Sequence, residues 1–114
     1  MTTISLNSIS ETKKLSEFIL DNMITNSIGL SGPLGAGKTE FVRNFAKYLG
    51  LEEEISSPTY VFEHIYDLEN ISLHHWDLYR AGEEDFVEEI SEEINSAKSM
   101  LLIEWPEKVP QIYN

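Results

Sequence analysis

The sequence predicts an α/β fold, a sandwich in which helices cover a largely parallel central sheet. Strand-like stretches alternate along the chain with stretches of helical apolar spacing, which is the order typical of this class. The last strand-like stretch, Met100 to Glu104, is apolar up to its final acid, as expected for a strand buried on both faces. The length of 114 residues predicts a single domain over residues 1–114.

The elements of the first half follow from local patterns. A short β-like start covers Thr2 to Leu6, and apolar residues at helical spacing predict a helix from about Ser10 to Met23. Ile28 to Leu30 is a brief strand. A second helix runs from Lys38 to Leu49, because its apolar residues recur every three or four positions and Gly50 follows as a stop.

The second half predicts a loop, a hairpin, a helix and a final strand. Glu52 to Pro58 is an exposed loop. Tyr60 to Tyr66 and Ile71 to Asp77 are β-rich runs separated by four turn residues, which predicts a hairpin-like pair. Glu83 to Ala97 is an acidic helix with one apolar stripe, and Pro106 ends the last strand.

The charge is strongly negative and unevenly distributed. The net charge is −12; residues 1–50 hold five basic and four acidic side chains (+1), and residues 51–114 hold three and sixteen (−13). This balance argues against a nucleic-acid backbone or an anionic membrane as the direct ligand. The absence of cysteine excludes disulfides and Cys-based zinc sites. No signal peptide or membrane span is evident, so we expect a cytoplasmic protein.

The strongest motif is a phosphate-binding loop between the brief strand that precedes Gly32 and the second helix. The segment from Gly32 to Thr39 fits G-x-x-x-x-G-K-[ST] at every fixed position. Glycines let backbone N–H groups wrap the phosphates, and the following helix adds the positive end of its dipole. Lys38 is expected at the β- and γ-phosphates and the Thr39 hydroxyl at Mg²⁺. The candidate nucleotide-binding residues here are Gly32, Gly35, Ala36, Gly37, Lys38 and Thr39.

Two acids end predicted strands, at the edge where such sheets bind ligands. Asp77 ends one run, and Glu104 ends an apolar run in the manner of a Walker-B strand. A lone acid in this position is more often a surface cap or an ion-pair partner. The accompanying phosphate loop favours a role at Mg²⁺ or at the attacking water for both acids, and the sequence leaves open which of them binds the metal directly.

Four segments in this order resemble the TsaE (YjeE) family, bacterial ATPases of tRNA threonylcarbamoyladenosine biosynthesis. They are Ser31–Thr39, Ser57–Tyr60, His75–Arg80 and Ile103–Glu107. The first is generic to phosphate-loop proteins, and the other three are specific. The resemblance covers about residues 4 to 108. It implies a P-loop NTPase three-layer sandwich with a central, mainly parallel sheet flanked by antiparallel strands.

The resemblance also implies roles for individual residues. Lys38, Asp77 and Glu104 are implied as catalytic, and Thr39, Asp77 and Glu104 as metal-binding. Ser57 and Thr59 match a switch-like segment near the γ-phosphate. The other residues implied around the nucleotide are Trp105, beside the active centre, and Thr12, near the base.

Three departures from the family pattern stand out. Pro33 replaces a common Asp and offers no N–H. Glu40 follows the loop Thr where a second Thr is usual, so a negative charge enters the nucleotide-binding segment. The chain also stops at Asn114, whereas family members usually continue with antiparallel strands, so we expect it to be truncated at the C-terminus or to be a short member.

The resemblance implies ATP and Mg²⁺ as cofactors and TsaD and TsaB as protein partners, with tRNA reached only indirectly through them. The predicted function is ATP hydrolysis in support of modification at position 37 of tRNA. A small P-loop kinase acting on a metabolite is one alternative, although Arg43 and Arg80 are the only arginines available for a lid. A nucleotide-gated binding module without useful hydrolysis is another.

Two further features have competing interpretations. His74 and His75 are adjacent on a strand and point to opposite faces, so they cannot both bind one ion, and we predict no zinc site. His75 shares a face with Asp77 and is expected to orient it, whereas His74 is expected to be structural. The acidic helix is either a solvated face or a docking surface for a basic partner.

Overall fold

The computed structural model describes residues 2–5, 26–32, 36–51 and 62–113. These residues form five strands and two helices. The strands are β1 (Thr2–Ser5), β2 (Ser27–Ser31), β3 (Glu63–Asp67), β4 (Ser72–Asp77) and β5 (Ser99–Glu104), and the helices are α1 (Ala36–Tyr48) and α2 (Val87–Ile94). Two short 3₁₀ turns, Pro106–Lys108 and Pro110–Tyr113, follow β5.

The five strands form one mixed sheet in the order β1-β2-β5-β4-β3. The first four are parallel, and β3 is antiparallel to β4. The predicted α/β class, the largely parallel sheet and the hairpin are therefore confirmed. β5 lies between β2 and β4, which explains why its sequence is continuously apolar. The predicted helix at residues 10–23 and the predicted loop at residues 52–58 lie outside the described residues.

One face of the sheet packs against α1. Because successive strand residues point to opposite faces, Leu30 and Leu102 lie on this side and meet the apolar stripe of the helix. Phe41 and Phe45 stack within that stripe, with ring centroids 5.8 Å apart. All four side chains are fully buried, so this contact fixes the helix that follows the glycine-rich segment against the strand that precedes it.

The other face packs against α2 and the C-terminal 3₁₀ turns. The alternate residues Leu101 and Ile103 of β5 point to this side and meet Ile90 of the helix. Trp76 of β4 joins them and is almost completely buried. The sheet therefore has a separate apolar cluster on each side.

The acidic helix is shorter than predicted at its N-terminus. It begins at Val87 instead of Glu83, because residues 83–86 form turns. Asp85 closes the first of these turns, since its carboxylate accepts the Gly82 N–H at 2.8 Å. Phe86 then adopts φ 62°, a left-handed conformation that interrupts a helix. Its ring packs between Phe62 and Trp76, at centroid distances of 4.7 and 5.3 Å.

The same helix ends at Ile94 rather than at the predicted Ala97. Asn26, just before β2, donates from Nδ2 to the Ile94 carbonyl at 2.8 Å and to the Ser99 carbonyl at 3.2 Å. A side chain distant in sequence thus satisfies a terminal carbonyl of the helix. Neither described helix has the length and apolar character needed to cross a membrane.

Candidate functional site

The carboxyl ends of three parallel strands meet beside the start of α1. Glu104 at the end of β5 is the register partner of Leu30 on β2 and of Asp77 on β4. The chain continues across this edge through two further backbone bonds, from Leu78 N–H to the Glu104 carbonyl and from Trp105 N–H to the Leu30 carbonyl. Residues in register on parallel strands share a face, so the carboxylates of Asp77 and Glu104 are neighbours.

Lys38, in the first turns of α1, reaches into this edge. Its ammonium Nζ donates to the Gly32 carbonyl at 2.7 Å and lies 3.7 Å from the centre of the Trp105 ring. The residue is only 3% exposed. Burial lowers the pKa of Lys38, while the nearby carboxylates of Glu104, Glu107 and Asp77 act in the opposite direction. A buried cation is therefore held against an aromatic face and among acids.

Asp77 lies at the rim of the same edge. Its Oδ1 accepts the Tyr79 backbone N–H at 3.0 Å. Burial raises the pKa of Asp77, and the neighbouring charge of Glu104 adds to this; the Tyr79 hydrogen bond, His75 and Lys38 act the other way. Two carboxylates placed side by side repel each other, and a divalent cation would offset that repulsion.

Glu104 forms the tightest polar contact of the site, and its partner is His75. The His75 Nε2 lies 2.6 Å from Glu104 Oε2, and the imidazole is 2% exposed. His75 shares a face with Asp77 as predicted, but its hydrogen bond goes to Glu104, so the expectation that it orients Asp77 is wrong. The pairing of β4 with β5 places the His75 imidazole next to the Glu104 carboxylate. His75 Nδ1 is buried without a hydrogen-bond partner in the described structure.

An aromatic pair covers one side of the lysine. Trp105 has a left-handed backbone (φ 58°, ψ 50°), which turns the chain sharply from β5 into the first 3₁₀ turn. This turn brings its ring under Lys38, and the Tyr79 ring packs on it at a centroid distance of 5.0 Å. Pro106 at the next position fits the turn, because its fixed φ suits the first residue of a helical segment.

The structure brings together the described part of the predicted site: Gly32, Lys38, Asp77, Glu104 and Trp105. Gly32 has φ 139°, a conformation that favours glycine. The backbone of residues 36, 37 and 39 forms the first turn of α1, and the side chains of Ala36 and Thr39 are not described. The predicted site residues that lie outside the described ranges are Thr12, Gly35, Ser57 and Thr59.

Glu40 lies on the solvent side of α1. Its Oε2 is 3.8 Å from Arg43 Nη1, and both side chains are close to half exposed. The described contacts of Glu40 therefore join it to the next turn of its own helix. Its predicted place at the nucleotide stays a prediction.

Sequence reasoning missed two contributors to this site. The His75–Glu104 pair joins residues 29 positions apart, so only the pairing of β4 with β5 reveals it. Glu107 acts electrostatically on Lys38 because the turn at Trp105 folds it back over the edge. The one signal available for Glu107 is its place in the W-P-E segment.

A comparison with known proteins identifies the family. The model of the family described as "Threonylcarbamoyl adenosine biosynthesis protein TsaE" matches residues 6–114. The chain belongs to the TsaE family. The predicted resemblance is thus confirmed over nearly the whole chain.

Individual TsaE proteins are also similar to this chain. The Rickettsia conorii tRNA threonylcarbamoyladenosine biosynthesis protein TsaE is 37% identical over 110 residues, which are 95% of this chain and 63% of that protein. The Treponema pallidum protein of the same name is 42% identical over 81 residues, which are 70% of this chain and 59% of that protein. The chain therefore spans less than two thirds of the length of each.

A solved structure supports the fold. Bacillus subtilus YdiB superposes with a TM-score of 0.62 at 25% sequence identity, covering 93% of this chain and 65% of YdiB. The backbone of this chain is therefore similar to that of a known crystal structure.

Proposed function

We propose that this TsaE family chain is an ATPase whose hydrolysis of ATP supports N6-threonylcarbamoyladenosine formation at position 37 of tRNA by a TsaB–TsaD complex. The observation that carries the proposal is the convergence of Lys38, Asp77 and Glu104 at the carboxyl ends of β2, β4 and β5. Ligands bind at such strand ends in α/β sheets. The family's role in tRNA threonylcarbamoyladenosine biosynthesis supplies the process.

In this proposal the segment from Gly32 to Thr39 is a P-loop that binds the triphosphate, in the three-layer sandwich typical of such proteins. Its backbone N–H groups and the N-terminus of α1 favour anions. Lys38 moves from the Gly32 carbonyl to the β- and γ-phosphates, which are stronger acceptors. The Trp105 ring keeps the ammonium at the edge of the sheet before the nucleotide arrives.

The donor set at this edge fits Mg²⁺. Asp77 and Glu104 offer carboxylate oxygens side by side, and the motif implies the Thr39 hydroxyl as a further ligand; all are the hard oxygen donors that Mg²⁺ takes. When bound, Mg²⁺ neutralises charge on the β- and γ-phosphates. Burial and the neighbouring charge of Glu104 raise the pKa of Asp77, and a bound cation would act in the opposite direction.

His75 prepares Glu104 for its role. It occupies Oε2, so Oε1 is the oxygen that remains for Mg²⁺ or for the attacking water. The hydrogen bond fixes the carboxylate plane, which is the preorganisation that phosphoryl transfer needs. Ser57 and Thr59 are proposed to sense the γ-phosphate and to change the partner-facing surface. The acidic surface is consistent with tRNA being held mainly by the partners. The proposed location is the cytoplasm.

ATP hydrolysis tests the proposal, measured with the chain alone and with TsaB and TsaD added. We expect low activity alone and stimulation in the complex. Lys38→Ala and Glu104→Ala should each abolish the stimulated activity. Lys47→Ala is the matched control, because Lys47 lies on the same helix, is exposed and is outside the site. Unchanged stimulated hydrolysis in the Lys38 and Glu104 variants would show the assignment to be wrong.

Two other outcomes would identify the alternatives. Transfer of the γ-phosphate to a nucleoside or small acid, in place of water, would indicate a metabolite kinase. Nucleotide-dependent complex formation that persists unchanged in Glu104→Ala, with no hydrolysis by the wild-type complex, would indicate a nucleotide-gated binding module.

A further inference from the structure

Three metal-binding side chains converge on the opposite face of the sheet from the proposed ATP site. His74 of β4 and Glu63 of β3 are diagonal neighbours across the hairpin, since Glu63 is paired with Trp76 and His74 with Ile65. Glu93 reaches the same point from α2, which covers this face. The three residues lie on three different elements and come close to one another only in the folded chain.

The donor atoms are close enough for one ion. His74 Nδ1 lies 2.9 Å from Glu63 Oε2 and 3.0 Å from Glu93 Oε1, and one ligand atom from each residue lies within 4.8 Å of the other two. Ligands about 2.0–2.1 Å from a tetrahedral zinc stand roughly 3.3 Å apart. Small rotations of the carboxylates therefore convert the hydrogen-bonded cluster into a coordination site.

The surroundings of the cluster favour a cation. The His74 side chain is 10% exposed, and the carboxylates are 20% and 16% exposed, so the ligands are ordered by burial while water can still enter. In the described part of the chain, no lysine or arginine forms an ion pair with Glu63 or Glu93. The two acids thus share a largely buried position in which no lysine or arginine of the described residues balances their charge.

Trp76 completes the arrangement. Its indole N–H donates to Glu93 Oε1 at 2.9 Å. A hydrogen bond of this kind to a ligating carboxylate orients it and is typical of the outer ligand sphere of metal sites. Because Trp76 is almost fully buried, it holds Glu93 over the hairpin rather than in solvent, where its helix neighbour Glu92 lies.

We propose that Glu63, His74 and Glu93 bind a divalent transition-metal ion of the Zn²⁺ class, with water as the fourth ligand. Imidazole and carboxylate donors suit this class. The sequence prediction of no zinc site considered two histidines on one ion; here the other ligands are carboxylates from a second strand and a helix. The bound ion would join β3, β4 and α2, and so would stiffen the support of the strand that ends at Asp77.

Titration of the metal-free chain with Co²⁺ and Zn²⁺ tests the site. We expect one equivalent to bind, with tetrahedral Co²⁺ absorption, a change in tryptophan fluorescence and a raised Tm. Glu93→Gln and Glu63→Gln should each weaken binding by more than about tenfold, since loss of a ligand costs at least as much as loss of an outer partner. Both variants remove a repulsive charge, so neither is expected to impair folding.

Matched variants separate this site from the ATP site. Glu92→Gln and His64→Asn change exposed or strand-surface groups next to the ligands, and each should bind metal like the wild type. Asp77→Asn should also retain the one equivalent. The proposal is overturned if the wild type binds no more tightly than Glu93→Gln, or if the binding is lost in Asp77→Asn and kept in Glu93→Gln.

Discussion

The two faces of β4 carry adjacent histidines with opposite surroundings. His75 lies on the α1 side, pairs with one buried acid, Glu104, and has the cation Lys38 close to that acid. His74 lies on the α2 side and faces two acids, Glu63 and Glu93, which no described lysine or arginine balances. The same residue type on the same strand therefore belongs to a charge-compensated site on one side and to an uncompensated cluster on the other.

This difference shows that the two faces of one strand can carry side chains suited to different ligands. The α1 face is proposed to bind a triphosphate, and its lysine and acids are complementary to an anion and its metal. On the α2 face, no lysine or arginine of the described residues pairs with Glu63 or Glu93, which points to a cation. Equivalent substitutions on the two faces should therefore have different effects.

The largest expected effect concerns catalysis. Glu104→Gln should lower the partner-stimulated rate of ATP hydrolysis by about a hundredfold or more, the usual cost of losing one preorganised group at a reacting centre. Glu93→Gln, the same change on the other face, should alter that rate by less than about twofold. Steady-state hydrolysis with TsaB and TsaD measures both. Equal losses in the two variants would remove the functional distinction between the faces.

The next effect concerns stability. His75→Ala should lower the free energy of unfolding by about 3 kcal/mol, because it leaves a cavity and a buried carboxylate without its partner. His74→Ala should cost about 1 kcal/mol, since water can reach Glu63 and Glu93. Urea denaturation of the metal-free chain gives both values. A larger loss for His74→Ala would contradict the comparison.

The third effect is a dependence on pH. Burial, with a hydrogen bond to Glu63, raises the pKa of Glu93 from 4.5 to about 7. A raised folded-state pKa contributes stability that is present below pH 4.5 and is lost as the pH rises through about 7. Glu93→Gln should therefore gain stability relative to the wild type between pH 5 and pH 8.

Thermal unfolding in the presence of a chelator measures this difference. Glu63 and His74 face Glu93 directly, so neither residue is substituted in any of the variants compared. Glu92→Gln is the control, because that side chain is exposed on the same helix. An equal stability difference between Glu93→Gln and the wild type at both pH values would contradict the assignment.

The smallest effect concerns a surface pair. Arg43→Ala removes the 3.8 Å contact with Glu40 on the outside of α1, and should change the free energy of unfolding by less than about 0.5 kcal/mol. Solvent screening accounts for the contrast with the buried His75–Glu104 pair. Urea denaturation at low and high salt checks both the size and the screening, and a loss comparable to that of His75→Ala would contradict it.

Much of the fold could be predicted from local patterns. The order of the described strands and helices, the hairpin and the burial of β5 on both faces all follow from apolar periodicity. The boundaries of α2 could not, because tertiary contacts set them: Phe86 adopts a left-handed conformation to pack against Phe62 and Trp76, and Asn26 satisfies the carbonyl of Ile94.

The residues of the candidate site could be predicted where a motif or a strand end marked them. Lys38 stands out by its place in the motif, and Asp77 and Glu104 stand out because each is an acid at the end of a predicted strand. The partner of His75 was not predictable: the sequence indicates only that His75 shares a face with Asp77, and the register between β4 and β5 is what brings Glu104 within hydrogen-bond distance. Glu93 looked like one acid in a solvated row, and the helix packing alone set it apart.

By itself, the sequence determined the α/β class, the glycine-rich loop and the acids at the strand ends, because backbone periodicity and motif chemistry are local. The tertiary structure alone decided that His75 serves Glu104 and that Glu63, His74 and Glu93 meet. Both outcomes depend on the register between strands and on the docking of a helix. These bring together residues up to 30 positions apart, a separation at which local sequence carries no distance information.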